Sequence, residues 1–455
     1  MKFHILGWPV VLLLLVLASC IKPEEPFVQL PVTSALEENP NDITFEWTEL
    51  YLDIERYLPG FRPAPSARAL AYIHIGAYEV MQPGTDRYIS LGEVLPGFPK
   101  LAPVYATDQI DWSIALNAYY ARVFRFFLYN ANPSHHFQLE SLEQRMLDQL
   151  GADVPQGIVR ISTDWGIKVA NAVITYAETD REGASQANDP FPVTYQSPSG
   201  AGVWSPEDNK ALFPFWGKAR AFASSPTDLM ALRPSLTYDP TPGSDYYKEY
   251  LEVANAVHGM SHHDRWVAEF WSDDITGVTF SPAARIFAIA NQLIKLERLP
   301  LDETLHLYCR LGVALNDATV GIHLSKYTYN VERPVQFIRQ EIDPAFRPVL
   351  GEVIQQPGIT PPTPAYPSEH GTYAGVAWRI FEHYFGSAYE FTDHCHYGRL
   401  EFNGMPRTFS TWKEMAEEMA HSRIPLGVNT KSDCREGLRM GNVVAVKALS
   451  LRLER

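Results

Sequence analysis

The sequence predicts an all-α fold, one large unit of packed helices joined by long loops. Three observations carry this reading. Apolar residues recur at helical spacing in segment after segment, alternating strand patterns are few, and no repeat of about 20 to 50 residues points to a solenoid. Helical patterning dominates from Phe45 onward. It is clear over Ala67 to Val80, Ile110 to Tyr129, His136 to Leu150 and Ile158 to Ala177. Between Gly183 and Gly243 the chain is rich in Pro, Ser and Gly and reads as loop. Helical spacing returns over Tyr246 to Val257, Trp266 to Trp271, Pro282 to Leu296 and Glu303 to Lys326. After a Pro-rich stretch from Glu352 to Pro367, three more helices are expected over Gly371 to Phe385, Thr411 to Ser422 and Asp433 to Leu451.

The first residues read as a targeting segment. Lys2 and His4 precede an apolar run from Val10 to Leu17, and Leu17-Ala18-Ser19-Cys20 follows. A charged start, a short apolar stretch and small residues before a cysteine fit a secretory signal of the bacterial lipoprotein type. A retained signal anchor is the other reading. The lipoprotein reading gives a signal peptide over 1–19, a lipidated Cys20 with a Pro- and Glu-rich tether over 20–45, and a helical domain over 46–455. It places the protein in the periplasm or at the outer membrane, held to the membrane by N-terminal lipid only.

The net charge is −15, with no block or stripe of Lys and Arg, which argues against a nucleic-acid partner. Besides Cys20 there are Cys309, Cys395 and Cys434, and no CxxC spacing suggests a thiolate zinc site.

Three C-terminal segments carry chemistry. In Lys326-Tyr-Thr-Tyr-Asn-Val-Glu-Arg333-Pro334 the two cations are spaced to share one side of a helix that closes at Arg333. They suit an oxyanion, but an isolated pair of this kind is more often two solvated surface charges. In Ala365-Tyr366-Pro367-Ser368-Glu369-His370-Gly371, Ser368 is a natural N-cap, so an anion could sit at the helix start beside an acid–base His370. In Ser422-Arg423-Ile424-Pro425-Leu426-Gly427-Val428-Asn429, followed by Asp433, Arg423 offers a third cation just past a helix end.

The order, spacing and residue types of these segments resemble the signature of the vanadium haloperoxidases and type-2 phosphatidic acid phosphatases, Lys-x6-Arg-Pro, Pro-Ser-Gly-His and Ser-Arg-x5-His. Asp317-Ala318, Pro334-Val335-Gln336-Phe337-Ile338-Arg339 and Pro364-Ala365-Tyr366-Pro367-Ser368 look like the haloperoxidase branch, and the motifs span residues 317–437. The resemblance implies helical bundles with an oxyanion site between helices. Lys326, Arg333 and Arg423 would neutralise vanadate or phosphate, Ser368 and the Glu369 backbone N–H would add hydrogen bonds, and His370 would handle protons. It further implies hydrogen peroxide and halide as substrates, or a phosphoester in the phosphatases.

The chain departs from that signature twice. Asn429 stands where the family has the histidine that binds vanadium or attacks phosphorus, while Asp433 matches the acid that orients that ring. An amide nitrogen has no available lone pair, so neither role passes to Asn429. Glu369 replaces a glycine, and a first-turn acid is expected to turn outward along the helix dipole. His394, His396 and His421 are the candidates to replace the missing imidazole. Three functions follow as expectations: a haloperoxidase impaired by Asn429, a phosphatase of the same superfamily, or a non-catalytic oxyanion-binding protein.

Overall fold

The computed structural model describes residues 42–455 apart from 59, 104 and 207–209, so the expected signal peptide, Cys20 and nearly all of the tether lie outside the described residues. The first group of helices is α1 (Asp42–Glu55), α2 (Ala64–Met81), α3 (Leu91–Val94), α4 (Trp112–Phe127), α5 (Pro133–Gly151), α6 (Gln156–Glu178) and α7 (Arg181–Asn188). A middle group follows as α8 (Pro226–Leu229), α9 (Asp245–His258), α10 (His262–Phe270) and α11 (Pro282–Glu297). The last group is α12 (Leu301–Tyr329), α13 (Pro334–Glu341), α14 (Glu369–Phe385), α15 (Trp412–His421) and α16 (Lys431–Leu449). The all-α expectation holds. Between α14 and α15, β1 (Phe391–Asp393) and β2 (Arg407–Phe409) form a short antiparallel hairpin that was not anticipated. Among the described residues no helix is long and apolar enough to cross a membrane.

Helix α12 organises the packing. It is buried on nearly every face from Leu301 to Lys326, as a helix must be when apolar residues ring its axis. It packs against α2 on one side and against α14 and α16 on the other. The tightest contact is between α14 and α16, where glycine lets two backbones touch. A Cβ on Gly441 would lie 2.0 Å from the Thr372 carbonyl oxygen, and one on Gly437 would lie 2.5 Å from that of Ser368. This approach sets the start of α14 against the start of α16, and the Ser368 N–H donates to the Asp433 carbonyl at 3.0 Å.

Two expectations change. The Lys326–Arg333 spacing is not two helical turns. Helix α12 stops at Tyr329, because Asn330 takes a left-handed conformation at φ 47° that short polar side chains tolerate. Arg333 is extended and precedes α13, which begins at Pro334 as proline at a first helical position favours. The cations meet because the chain turns between them. The segment from Gly183 to Gly243 is mostly loop but contains α8 and the end of α7, and buried carboxylates pin it. Asp317 accepts from the N–H groups of Phe222, Ala223 and Ser224 at 2.7, 2.8 and 2.9 Å, and Glu436 accepts from Leu232 at 2.7 Å.

Because a Cβ has no room at the helix crossing, Gly441→Ala should lower stability by roughly 1–3 kcal/mol. Chemical denaturation reads this directly, and an unchanged midpoint would mean that the two backbones are not held in contact.

Candidate functional site

The end of the Pro-rich stretch before α14 turns carbonyl oxygens of residues 363–365 inward. Lys326 Nζ donates to the carbonyls of Pro364 and Ala365 at 2.6 and 3.1 Å. Arg333 donates from Nε to the Thr363 carbonyl at 2.8 Å, from Nη2 to Thr363 Oγ1 at 2.9 Å, and from Nη1 to the Val428 carbonyl at 2.9 Å. Proline supplies a carbonyl acceptor without a competing N–H, which suits a segment whose task is to receive cationic donors. Both cations are buried. Burial, and then the neighbouring Arg333, lowers the Lys326 pKa well below the usual lysine range; burial also lowers Arg333 to about 10.

Arg423 arrives from the turn after α15, where Gly427 at φ 79° bends the chain toward Asn429. Its Nη1 lies 2.7 Å from Asp274 Oδ2 and 3.5 Å from His370 Nε2. Its Nε is buried without a hydrogen-bond partner. Asp274 sits in the turn after α10, where the Arg62 guanidinium holds the neighbouring Asp273 carbonyl at 3.0 Å. Burial alone would raise the Asp274 carboxyl, yet Arg423 beside it holds it below its ordinary range. His370 is buried, and burial followed by Arg423 lowers its imidazole to about 3, so it is neutral near pH 7.

At the start of α14, Ser368 caps the helix by accepting from the Gly371 N–H at 3.2 Å. Glu369 does not turn outward. One carboxylate oxygen is buried and unpartnered, and the charges that act on it are Lys326, Asp274, Arg333 and Arg423. The outward expectation rested on the helix dipole, a surface effect; here the start of α14 is packed inside the fold, and one carboxylate oxygen is shut off from solvent. Burial still dominates and raises Glu369 to about 7.

Asn429 closes the far side. Its Nδ2 donates to the Ala365 carbonyl at 2.9 Å and to Asp433 Oδ2 at 3.1 Å, while its Oδ1 accepts from Arg333 Nη1 at 3.4 Å. Exchanging oxygen and nitrogen would set the amide oxygen against two acceptors, so the network fixes the orientation. Asp433 also accepts from the Thr430 N–H at 2.8 Å, and burial raises its pKa.

The fold thus assembles Lys326, Arg333, Ser368, Glu369, His370, Arg423, Asn429 and Asp433 in one place, and adds Asp274, which no sequence pattern marked. The three candidate replacement histidines lie elsewhere. The His396 ring contacts Arg285 and the Phe270 carbonyl, and His394 and His421 are exposed.

A family model described as the second helical-bundle domain of vanadium chloroperoxidase matches residues 306–454, the stretch that builds most of this site. By that match, residues 306–454 belong to the vanadium haloperoxidase superfamily. The chain is 24% identical to the vanadium chloroperoxidase of Curvularia inaequalis over 418 residues, covering 79% of this chain and 68% of that protein. In fold it is similar to a bacterial vanadium-dependent iodoperoxidase, with TM-score 0.78 and 23% identity across 91% of this chain and 96% of the other. A holo-type bacterial vanadium-dependent chloroperoxidase superposes with TM-score 0.67 and 13% identity, covering 89% and 96% of the two chains.

Vanadate held as the superfamily's signature implies needs an imidazole nitrogen at position 429, and the residues present do not fit it. The amide nitrogen of Asn429 is committed to two acceptors and its oxygen to Arg333.

The raised pKa of Glu369 has a stability consequence. In the unfolded chain Glu369 loses its proton near its ordinary value of about 4.3, whereas in the fold it keeps it to about 7. The native state therefore binds more protons in that window, and stability falls as pH rises through it. Glu369→Gln should raise the denaturation midpoint near pH 8 and leave it unchanged near pH 4. A midpoint lowered near pH 8 would place an ionised, well-paired carboxylate at this position instead.

Proposed function

We propose that this chain is a haloperoxidase-fold protein that binds oxyanions without turning them over. The observation that carries the proposal is the bonding of Asn429. Its amide keeps the structural half of the superfamily histidine, the link to Asp433, and lacks the half that would bond vanadium or attack phosphorus. The remaining donors suit a tetrahedral anion held by charge and hydrogen bonds: the unpartnered Nε of Arg423 and the buried ammonium of Lys326, beside the start of α14, where helix geometry leaves the first N–H groups without helical acceptors.

The haloperoxidase reading and the phosphatase reading fail at the same atom. Halide oxidation with hydrogen peroxide requires the anchored vanadium centre, and phosphoester cleavage through this site requires a nucleophile at residue 429. The neutral His370, close to Arg423 and Asp274, could still move a proton, but it has no reacting partner to serve. The lipoprotein signature at Cys20 supports placing the domain outside the cytoplasm on a lipid anchor, where an anion binder would meet solutes rather than cytosolic metabolites.

With vanadate, hydrogen peroxide and bromide, the native protein is expected to brominate no faster than free vanadate, and to release no phosphate from an aryl phosphate. The double variant Asn429→His with Glu369→Gly should bind vanadate more tightly than the native chain, through the added imidazole nitrogen. Bromination by the native chain above the free-vanadate rate would overturn the proposal.

A further inference from the structure

A second cleft, of about 520 Å³, is lined by Asp433 but by none of the cradle's cations, nor by Ser368, His370 or Asn429. Its size is that of a small-molecule site. The walls come from distant parts of the chain. Tyr246, Glu249 and Tyr250 stand on one face of α9, being three and four residues apart. Tyr329 comes from the end of α12, Tyr366 from the stretch before α14, and the loop from Arg233 to Tyr238 completes the lining.

The loop has no regular secondary structure, yet its base is held firmly. The Ala231 N–H donates to Ser325 Oγ at 2.9 Å and the Leu232 N–H to Glu436 at 2.7 Å. The Tyr329 and Tyr366 hydroxyls donate to the carbonyls of Ala231 and Leu232, each at 2.8 Å. The Tyr246 hydroxyl donates to Glu332 at 2.8 Å and shares a hydrogen bond of 3.0 Å with Tyr250. Four lining tyrosines thus spend their hydroxyls on the protein, which fixes their rings. A ligand meets a preformed aromatic surface and has little left to order on binding.

The charges of this cleft are not spent in the same way. Arg233 is exposed and makes no hydrogen bond or ion pair among the described residues. Glu249 accepts from the Ser432 N–H through Oε1, and its Oε2 has no partner among the described residues. Asp433 is already committed to Asn429 and Thr430. A guanidinium and a carboxylate therefore line one cleft without pairing with each other. We propose that the cleft binds a small zwitterion with an aromatic body, of the class of the aromatic amino acids. The ligand's ring lies against the tyrosines, its carboxylate meets Arg233, and its ammonium meets Glu249 beside the rings. A ligand with one charge alone leaves either Arg233 or Glu249 unanswered. No cradle cation takes part, so this inference stands apart from the anion reading of the cradle.

Three probes that share one benzene ring separate the charges: phenylalanine carries both, phenethylamine the ammonium alone and hydrocinnamate the carboxylate alone. Their binding to the full chain is measured calorimetrically near neutral pH. Phenylalanine should bind more tightly than either of the others by on the order of tenfold. Arg233→Gln should bring phenylalanine down to the affinity of phenethylamine and leave phenethylamine unchanged, which also shows that the variant is folded. Glu249→Gln keeps an acceptor for the Ser432 N–H and should bring phenylalanine down to the affinity of hydrocinnamate. Three results would overturn the proposal: no phenylalanine binding by the native chain, a single-charge probe binding as tightly as phenylalanine, or phenylalanine binding that both substitutions leave unchanged.

Discussion

Three cations buried within one cluster of helix ends are the constraint on which this structure depends. Taken out of water, Lys326, Arg333 and Arg423 are tolerable only if their donors are satisfied and their charge is countered. The chain meets the first demand for Lys326 and Arg333 mainly with main-chain carbonyls. Thr363, Pro364 and Ala365 present theirs in sequence, and Val428 adds one from the turn after α15. It meets the second with carboxylates from three separate elements: Asp274 after α10, Glu369 on α14 and Asp433 on α16. Close contact between α14 and α16 brings two of these elements together, so the glycines at that crossing serve the site as much as the core.

The same constraint explains why loss of a histidine does not collapse the site. Asn429 is nearly as polar and can donate to Asp433 and Ala365 while accepting from Arg333. The buried acid keeps its partner and Arg333 keeps a fourth acceptor. What is lost is a lone pair, a chemical property with no structural role. The frame of the cradle therefore does not depend on an imidazole at position 429.

Much of this was legible in the sequence, for physical reasons that differ by residue. The helices were readable because apolar spacing reports burial. Lys326, Arg333, Ser368 and Arg423 were readable because cations and a capping serine in a fixed order admit few arrangements. Asp274 was not, because it reaches the site from a turn distant in sequence and carries no pattern of its own. The direction of Glu369 was misjudged because the first turn of a helix favours an acid whether it faces solvent or cations, and only the packing above it decides. The end of α12 at Tyr329 was missed because Asn330 in a left-handed conformation is a local choice that spacing does not record.

The central claim is that no protein nitrogen bonds to vanadium at this site. X-ray absorption at the vanadium edge, on the native protein equilibrated with vanadate, tests it most directly. The expected spectrum is that of vanadate surrounded by oxygen alone, whether free or held by hydrogen bonds. A nitrogen scatterer in the first coordination shell would contradict the claim and would show that another side chain has taken the place of the missing histidine.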